Sequence, residues 1–315
     1  MNRRQFSQLV VGAGLAQTFS GIHAQTAQTG AQTTQSGAIQ PAAPTTRPGG
    51  GFHFSVMLWT LEGHAPFDRC LEIVSEAGYE GVELVGEYHK WSADESRRVM
   101  AKMRSLRMHF DLLSGVRSGF GDPNNTSGFL ADLTAQFDAA KELESPMMNL
   151  TSGPRIAGLS TWAQHAACVE NLKRAADLAA KQNIRLVIEP IDPIENPTLY
   201  MTSVSEGFGI VREVGNPYLK VLYDFYHEQR AGGNLIEKLE QNFDLVGLVH
   251  IADVPGRHEP GTGEIDYRNI FKKMAQLKYD KFIAMEFYPT YDPVAALRKA
   301  RLDALQAQAS VASVA

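Results

Sequence analysis

Short apolar runs alternate with longer amphipathic segments along most of the chain. Eight runs rich in β-branched and aromatic residues predict strands near residues 54–58, 81–85, 108–113, 147–150, 185–189, 220–224, 246–251 and 282–287. The segments between them repeat apolar positions every three or four residues, as helices do. This alternation, repeated eight times, predicts an α/β fold with a single (β/α)8 TIM barrel.

Two connecting segments carry more specific expectations. Residues 161–183 predict a helix whose apolar stripe is formed by Trp162, Ala166, Val169, Leu172 and Ala176. Residues 113–129 are polar and rich in glycine, which is typical of a long loop. We expect this loop either to cover the mouth of the barrel or to lie on the surface beside it.

The first 51 residues differ from the rest of the chain. Residues 1–24 combine Arg3 and Arg4 with a mildly apolar stretch and a small residue at Ala24, which is typical of a twin-arginine signal peptide. Residues 25–51 are rich in Ala, Gln, Thr, Pro and Gly and predict a disordered linker. We therefore expect a periplasmic protein with its barrel at residues 52–304 and a flexible tail at 305–315.

Length and composition indicate how many domains the chain has and which classes of partner it can bind. Removing the signal and linker leaves about 265 residues, close to the roughly 250 of a single barrel of this kind. The chain is 44% hydrophobic and its formal net charge is -5, so we expect no nucleic-acid partner. We expect no membrane contact beyond export, because the apolar stretch of the signal is too interrupted to span a bilayer. A homo-oligomer stays open. Cys70 and Cys168 lie in predicted helices of different units, which argues against a disulfide.

Four predicted strands in the second half carry a potential ligand of a hard metal ion at or near their carboxyl ends. These residues are Glu189, Asp224, His250 and Glu286, at successive intervals of 35, 26 and 36 residues. Each interval is about one strand plus one helix, and the carboxyl ends of barrel strands meet at one rim. Three carboxylates and one imidazole without a thiolate favour Mn, Mg or Co over structural zinc. The alternative is that each carboxylate pairs with Lys or Arg.

Glu189 and Glu286 are also candidates for acid–base catalysis. Two carboxylates on opposite sides of a bound hydroxycarbonyl compound can exchange a carbon-bound proton, one as the base and the other as the acid. A divalent cation beside the carbonyl and hydroxyl oxygens would stabilise the enediolate that forms. The pattern therefore predicts a metal-dependent isomerase of the aldose–ketose type that acts on a small molecule and needs no nucleophile.

Three further residues are candidates for substrate binding near the same rim. His227 follows Asp224 by three residues and could donate to an oxyanion, while Arg257 offers a planar fork for a carboxylate or vicinal oxygens. Glu83, near the end of the second strand, could bind a substrate hydroxyl or orient Arg257. A buried structural histidine and a solvated loop arginine are the alternatives for the first two.

The segments IEPID, LYDFYHEQR, VHIADVPGRHEPGTGEIDY and MEFYP together resemble the hydroxypyruvate isomerase group of the xylose-isomerase-like barrel superfamily. The similarity covers roughly residues 52–302 and is most specific at YDFYHEQR and DVPGRHEPGTGEI. It implies metal ligation by Glu189, Asp224, His250 and Glu286. It further implies acid–base roles for the two glutamates, and substrate contacts from His227 and Arg257. The implied reaction converts hydroxypyruvate to 2-hydroxy-3-oxopropanoate (tartronate semialdehyde).

The resemblance points in two directions at His250, where hydroxypyruvate isomerases tend to carry Gln and the related ketose 3-epimerases carry His. A ketose 3-epimerase or a keto-inositol dehydratase therefore stays open, with the same cation and the same enediolate. A non-catalytic periplasmic sugar-binding protein would need no paired glutamates on a metal. A zinc nuclease of the same superfamily would need more histidines at strand ends and a basic groove.

Overall fold

The computed structural model describes residues 51–313, and its eight parallel strands close into a barrel in chain order. The strands are β1 (His53–Met57), β2 (Gly81–Val85), β3 (His109–Ser114), β4 (Met147–Leu150), β5 (Arg185–Ile188), β6 (Leu219–Asp224), β7 (Val246–Ile251) and β8 (Phe282–Met285). β8 pairs with β1, which closes the sheet. The predicted barrel is confirmed. The predicted signal peptide and all of the predicted linker except Gly51 lie outside the described residues.

Helices follow the strands and cover the outside of the sheet. They are α1 (Phe67–Glu76), α2 (Ala93–Ser105), α3 (Thr126–Glu142), α4 (Thr161–Gln182), α5 (Val204–Val214), α6 (Phe225–Ala231), α7 (Leu235–Gln241), α8 (Tyr267–Gln276) and α9 (Pro293–Ala312), with short 3-10 turns at Leu58–Leu61, Glu87–Lys90 and Phe243–Leu245. Ser92 and Ser160 cap α2 and α4 through their side chains, and Gly215 ends α5 at a φ of 67°. Because helices cover the sheet, the strands are apolar on both faces and appear in the sequence as continuous apolar runs.

Two details differ from the sequence-based expectations. The tail expected to be flexible from residue 305 is instead helical through Ala312, because Ala304 and Ala307 are buried and continue the packed face of α9. On α4 the predicted stripe is displaced at its first turn, where Trp162 is 79% exposed and Gln164 is buried instead. Gln164 is held by the backbone of the preceding loop, since its Nε2 donates to the carbonyl of Pro154 at 2.8 Å.

The inside of the barrel has a separate apolar cluster that supports the rim. Its members are Leu112, Met147, Val187, Leu222, Leu248, Phe282 and Ala284. The packing is tight, because a Cβ added at Gly247 on β7 would lie 2.5 Å from Cγ1 of Val187. The barrel is therefore a filled core and not a pore, and a ligand must enter from one end.

Two of the remaining expectations concern cysteines and membranes. Cys70 and Cys168 are both free and buried, so the expected absence of a bridge between them is confirmed. Within residues 51–313, none of the helices has the length and apolarity that crossing a bilayer would require.

Candidate active site

The predicted ligands form a polar layer directly above the apolar cluster inside the barrel. Each follows an apolar residue of that cluster by two positions, in the pairs Val187–Glu189, Leu222–Asp224, Leu248–His250 and Ala284–Glu286. Side chains two positions apart on a strand point to the same face. The alternation that places the apolar residues inside the barrel therefore also directs the four ligands inward, one layer closer to the carboxyl rim.

The structure brings these four side chains together. One ligand atom from each lies within 4.8 Å of the others, and all four residues are buried. Nδ1 of His250 is 2.7 Å from Oε2 of Glu286 and 3.9 Å from Oε1 of Glu189. The backbone supports this arrangement, because the amides of Glu189 and Glu286 donate to the carbonyls of Leu150 and Ile251 on the neighbouring strands. The roles of the four residues as metal ligands stay a prediction.

Glu83 lies on the other side of the His250 ring. Its Oε2 is 2.9 Å from Nε2 of His250, and the hydroxyl of Ser55 donates to its Oε1 at 3.4 Å. Within residues 51–313, Glu83 makes no hydrogen bond to Arg257, so the structure gives it a different partner from the one expected. A carboxylate on the far nitrogen of an imidazole fixes the ring and leaves the near nitrogen free to bind a metal. A contact between Glu83 and a substrate stays a prediction.

A second carboxyl group, Asp111, lies behind Glu83 in the barrel. The register between β2 and β3 shifts after Val82, so that Val82 pairs with Phe110 while Glu83 pairs with Leu112. Asp111 is the extra residue of this bulge. Burial and then the neighbouring Glu83 charge raise the pKa of Asp111 well above its usual value.

Glu189 and Glu286 have unequal electrostatic surroundings. Burial alone would raise the pKa of Glu286, but Arg257, whose Nη2 is 2.6 Å away, and His250 together hold it well below its usual range. Glu189 accepts a hydrogen bond of 2.6 Å from Nδ2 of Asn149, while burial and the Glu286 charge raise its pKa to about 7. Two carboxylates with separated proton affinities can act as an acid–base pair.

Arg257 is buried at the rim and fully engaged with carboxylates. Its Nη1 lies 2.8 Å from Oε1 of Glu195, and its Nη2 lies 3.4 Å from Oδ2 of Asp224 in addition to its contact with Glu286. The side chain of Tyr226 lies under the guanidinium, whose carbon is 4.8 Å from the ring centroid. Arg257 therefore neutralises and positions the carboxylates, and its predicted contact with a substrate stays a prediction.

One buried carboxylate shapes the loop that carries Arg257. Asp253, just after β7, accepts hydrogen bonds from the backbone amides of Gly261, Gly263 and Ile265 at 2.8, 2.9 and 3.0 Å. Because three backbone amides of the loop bind the side chain of Asp253, the loop is closed. This fixes the direction in which the guanidinium of Arg257 enters the rim. The GTGE segment at 261–264 is thus a structural turn.

His227, in the first turn of α6, is held between two aspartates. Its Nδ1 is 2.8 Å from Oδ2 of Asp192, and its Nε2 is 3.4 Å from Oδ2 of Asp224. Burial alone would lower the pKa of His227, but Asp224 and Asp192 raise it. Arg230 also pairs with Asp192, at 3.2 Å. His227 can thus donate a hydrogen bond beside the four-residue cluster, while its contact with a substrate stays a prediction.

Sequence reasoning missed several residues that contact the cluster or the side chains next to it. These are Asn149, Asp192 and Glu195, together with Asp111 in the barrel interior. Asp192 and Glu195 follow Glu189 within six residues in the loop after β5, and this local density of acidic residues was a usable signal. Asn149 was equally accessible, because it follows Met147 of the apolar cluster by two positions, as Glu189 follows Val187.

The donor set fits a divalent cation. Three buried carboxylates and one imidazole nitrogen converge, which matches the oxygen-rich ligand sets of Mn, Mg and Co. Closely spaced buried carboxylates require compensating positive charge. Arg257 supplies part of it, and burial and then the Glu286 charge raise the pKa of Glu189 to about 7.

Comparison with known proteins agrees with the fold. The Xylose isomerase-like TIM barrel family matches residues 71–308. Hydroxypyruvate isomerase of Escherichia coli (strain K12) is 33% identical over 250 residues, which cover 78% of this chain and 96% of that protein. A 2-oxo-tetronate isomerase of Cupriavidus necator is 30% identical over 230 residues, which cover 72% of this chain and 88% of that protein.

A solved structure shares the same architecture. The crystal structure of AP endonuclease, family 2, from Brucella melitensis superposes with a TM-score of 0.71 at 25% identity, over 78% of this chain and 97% of that one. The family match spans most of the barrel, and the two isomerases align over most of their own lengths. The chain therefore belongs to the xylose isomerase-like TIM barrel family, as a relative of hydroxypyruvate isomerase, and it is an isomerase.

Proposed function

We propose that this protein is a metal-dependent isomerase that moves a proton between adjacent carbons of a small α-hydroxycarbonyl compound. The reaction we assign is the conversion of hydroxypyruvate to 2-hydroxy-3-oxopropanoate, an intramolecular oxidation and reduction. One observation carries the proposal: Glu189 and Glu286 approach the same imidazole nitrogen while their surroundings separate their proton affinities. The relationship to E. coli hydroxypyruvate isomerase supports the choice of substrate.

The four-residue cluster would hold the cation, with Mn, Mg or Co the best match to its donors. When bound, the cation supplies stabilisation for the negative charge that develops on the substrate oxygens. The protein's own residues do the rest of the work. Glu83 fixes the ring of His250, and Arg257 holds the carboxylates of Glu286 and Asp224 in place.

The proposed proton transfer follows from the unequal pKa values of Glu189 and Glu286. Glu286, whose lowered pKa keeps it ionised, takes a proton from the hydroxymethyl carbon of the substrate, and an enediolate forms. Glu189, whose raised pKa of about 7 lets it hold a proton, delivers that proton to the former carbonyl carbon, while the hydroxyl proton passes from one oxygen to the other. Exchange with solvent then returns a proton to Glu189 and removes one from Glu286. His227 donates a hydrogen bond to a substrate oxygen during this step. Because every proton that leaves one carbon is replaced at its neighbour, no redox cofactor is required.

A second candidate is a ketose 3-epimerase or a keto-inositol dehydratase with the same cluster. The observation that favours it is the identity of His250. By the resemblance described above, hydroxypyruvate isomerases tend to carry Gln at this position, whereas ketose 3-epimerases carry His. Abstraction of a carbon-bound proton next to a carbonyl is common to all three reactions, so the cluster serves each of them. A sugar-binding protein without catalysis would gain nothing from two glutamates of unequal proton affinity.

The test is an assay of the purified enzyme supplied with Mn²⁺ in deuterium oxide. Hydroxypyruvate and a panel of ketoses are followed by proton NMR, which detects both product and solvent deuterium at carbon. We expect turnover of hydroxypyruvate with deuterium incorporated next to the carbonyl. Epimerisation of ketoses without turnover of hydroxypyruvate would select the second candidate, and saturable ketose binding without any turnover would favour a binding protein.

We also propose that the protein acts in the periplasm after twin-arginine export. Arg3 and Arg4 support this proposal, together with the apolar stretch that follows them. Replacing both with Lys removes the paired guanidinium groups but keeps the charge. Cell fractionation should find the wild type in the periplasm and the double variant in the cytoplasm, whereas an unchanged distribution would contradict this assignment.

A further inference from the structure

A cavity adjoins the cluster at the carboxyl ends of β2, β3 and β4. It measures about 400 Å³, within the range of small-molecule sites, and Val85, His89, Ser114, Arg117, Asn149 and Thr151 contribute to its lining. Asn149 connects the two sites directly, because its Nδ2 donates to Glu189 at 2.6 Å. A substrate whose reacting carbons lie between Glu189 and Glu286 therefore has this cavity beside it.

Two buried atoms of the cavity lining lack hydrogen-bond partners. Asn149 is only 6% exposed, and its Oδ1 accepts no hydrogen bond within residues 51–313. Oγ of Ser114 is likewise buried without a partner in this part of the chain. Native structures leave few buried polar atoms unsatisfied, so two such atoms in one lining point to a polar ligand. The amide of Asn149 can accept from a hydroxyl, and Ser114 can donate to an anion.

The cavity lining also includes an exposed arginine, Arg117, that the carboxylates of the rim do not neutralise. The guanidinium of Arg117 makes no hydrogen bond or ion pair within the described part of the chain, although its backbone amide donates to Asp132 at 2.8 Å. The two arginines near the cluster are different, since Arg257 and Arg230 both pair with Glu195 at the rim. An incoming carboxylate would have to displace protein carboxylates from either of them, whereas Arg117 is available.

The loop that carries Arg117 has a defined position. Cα of Gly119 and the backbone of Gly153 pack so closely that a Cβ at Gly119 would lie 2.4 Å from Cα of Gly153. The amide of Gly121 donates to the carbonyl of Ser152 at 2.8 Å. The loop after β3 is therefore held against the loop after β4, and Arg117 and Asn149 line the same cavity. That this loop covers the mouth of the barrel stays a prediction.

We propose that this cavity binds the carboxylate end of a short 2-oxo acid. Arg117 pairs with the carboxylate, Ser114 donates to it, and Oδ1 of Asn149 accepts from a substrate hydroxyl nearer the reacting carbons. The inference rests on the proposed function, and it adds that the enzyme selects acids of three or four carbons over neutral ketoses of the same length. A neutral terminus would leave Arg117 unpaired and gain no charge-assisted hydrogen bond.

The test compares hydroxypyruvate with dihydroxyacetone, which differs by carrying a hydroxymethyl group in place of the carboxylate. Arg117→Met removes the charge and keeps the length of the side chain, and Arg117→Lys restores a charge without the fork. The matched control is Arg97→Met, an exposed arginine on α2 far from the cavity lining. We expect Arg117→Met to lower kcat/KM for hydroxypyruvate about tenfold to a hundredfold, mainly through KM, from the strength of a charge-assisted hydrogen bond.

The diagnostic quantity is the ratio of kcat/KM for the acid to that for the neutral ketose. It should fall at least tenfold in Arg117→Met, recover in part in Arg117→Lys and stay unchanged in Arg97→Met. An equal loss for both substrates, or no loss for the acid, would overturn the proposal.

Binding of tartronate, a three-carbon diacid that cannot isomerise, separates this proposal from the reaction assigned above. Calorimetric titration of the Mn²⁺-loaded protein should show binding to the wild type, weakened about tenfold in Arg117→Met. If neither hydroxypyruvate nor dihydroxyacetone is turned over but tartronate binding depends on Arg117, the carboxylate subsite stands and the assigned reaction falls. If hydroxypyruvate is turned over and tartronate binds Arg117→Met as tightly as the wild type, the subsite falls alone.

Discussion

The two halves of the barrel rim differ in whether their buried polar groups have partners within residues 51–313. On the side of β5 to β8, each charged residue of the cluster has a partner, and Arg257 contacts three carboxylates, those of Asp224, Glu195 and Glu286. On the side of β2 to β4, Ser114 and Asn149 have unpartnered buried atoms. We propose that the first side holds a cation between its acid–base carboxylates and that the second side is completed by a ligand. Under this proposal the β5 to β8 side carries out the proton transfer, and the β2 to β4 side selects the substrate.

The largest effect should come from the paired glutamates on the β5 to β8 side. Glu189→Gln and Glu286→Gln each keep the shape of the side chain but remove its ability to carry a proton, so kcat should fall by about 10²–10⁴-fold. Steady-state kinetics with hydroxypyruvate measure this. Glu170→Gln, on the exposed face of α4, is the matched control and should behave like the wild type. Retained turnover in both active-site variants would remove the basis for acid–base catalysis here.

A smaller effect should follow from the residue that links the two halves through the barrel interior. Glu83→Gln, on β2, weakens the hold on Nε2 of His250, and loss of such a partner typically lowers metal affinity about 10–100-fold. Titration of the metal-depleted variant with Mn²⁺, followed by electron paramagnetic resonance, gives the dissociation constant directly.

The control for that experiment lies on the same segment at the opposite end of the barrel. Glu80 bonds to Nδ1 of His53 at 2.7 Å, away from the cluster, so Glu80→Gln should leave Mn²⁺ affinity unchanged. Equal affinities for the wild type and Glu83→Gln would mean that the His250 ring is oriented without help from the β2 side.

The smallest effect concerns the loop that carries Arg257. A Cβ at Gly263 would lie 2.0 Å from the carbonyl oxygen of Val254, so Gly263→Ala must shift the loop, at a cost of about 1–3 kcal/mol or roughly 3–10 °C in Tm. Gly209→Ala, in α5 with no atom within 4 Å of the added Cβ, should instead stabilise by about 0.5–1 kcal/mol. Thermal unfolding monitored by circular dichroism compares them, and equal Tm values would show that the loop tolerates the change.

The difference between the two sides of the rim also explains which site residues the sequence could predict. Glu189, Asp224, His250 and Glu286 were accessible because strand order and the two-residue alternation fix which side chains meet at the rim of a parallel barrel. Each of these strands is also a continuous apolar run that ends in a charge, a pattern that is easy to recognise.

The β2 to β4 side was less accessible for physical reasons. Asp111 enters the barrel only because of a bulge between β2 and β3, and a register shift of this kind leaves no mark in the apolar pattern. Arg117 lies in a loop placed by glycine-to-glycine packing, which depends on tertiary contacts and not on local preference. Trp162 and the last turns of α9 were misjudged for a related reason, since an apolar or small side chain does not reveal whether a neighbour covers it.

The most direct test of the account is metal removal and replacement in the purified protein. Chelator-treated enzyme is titrated with Mn²⁺ while bound metal and hydroxypyruvate turnover are measured on the same samples. The account predicts one tightly bound ion per chain at the β5 to β8 cluster, with turnover lost on chelation and regained in proportion to the ion bound. Full turnover by protein shown to contain no metal would contradict it.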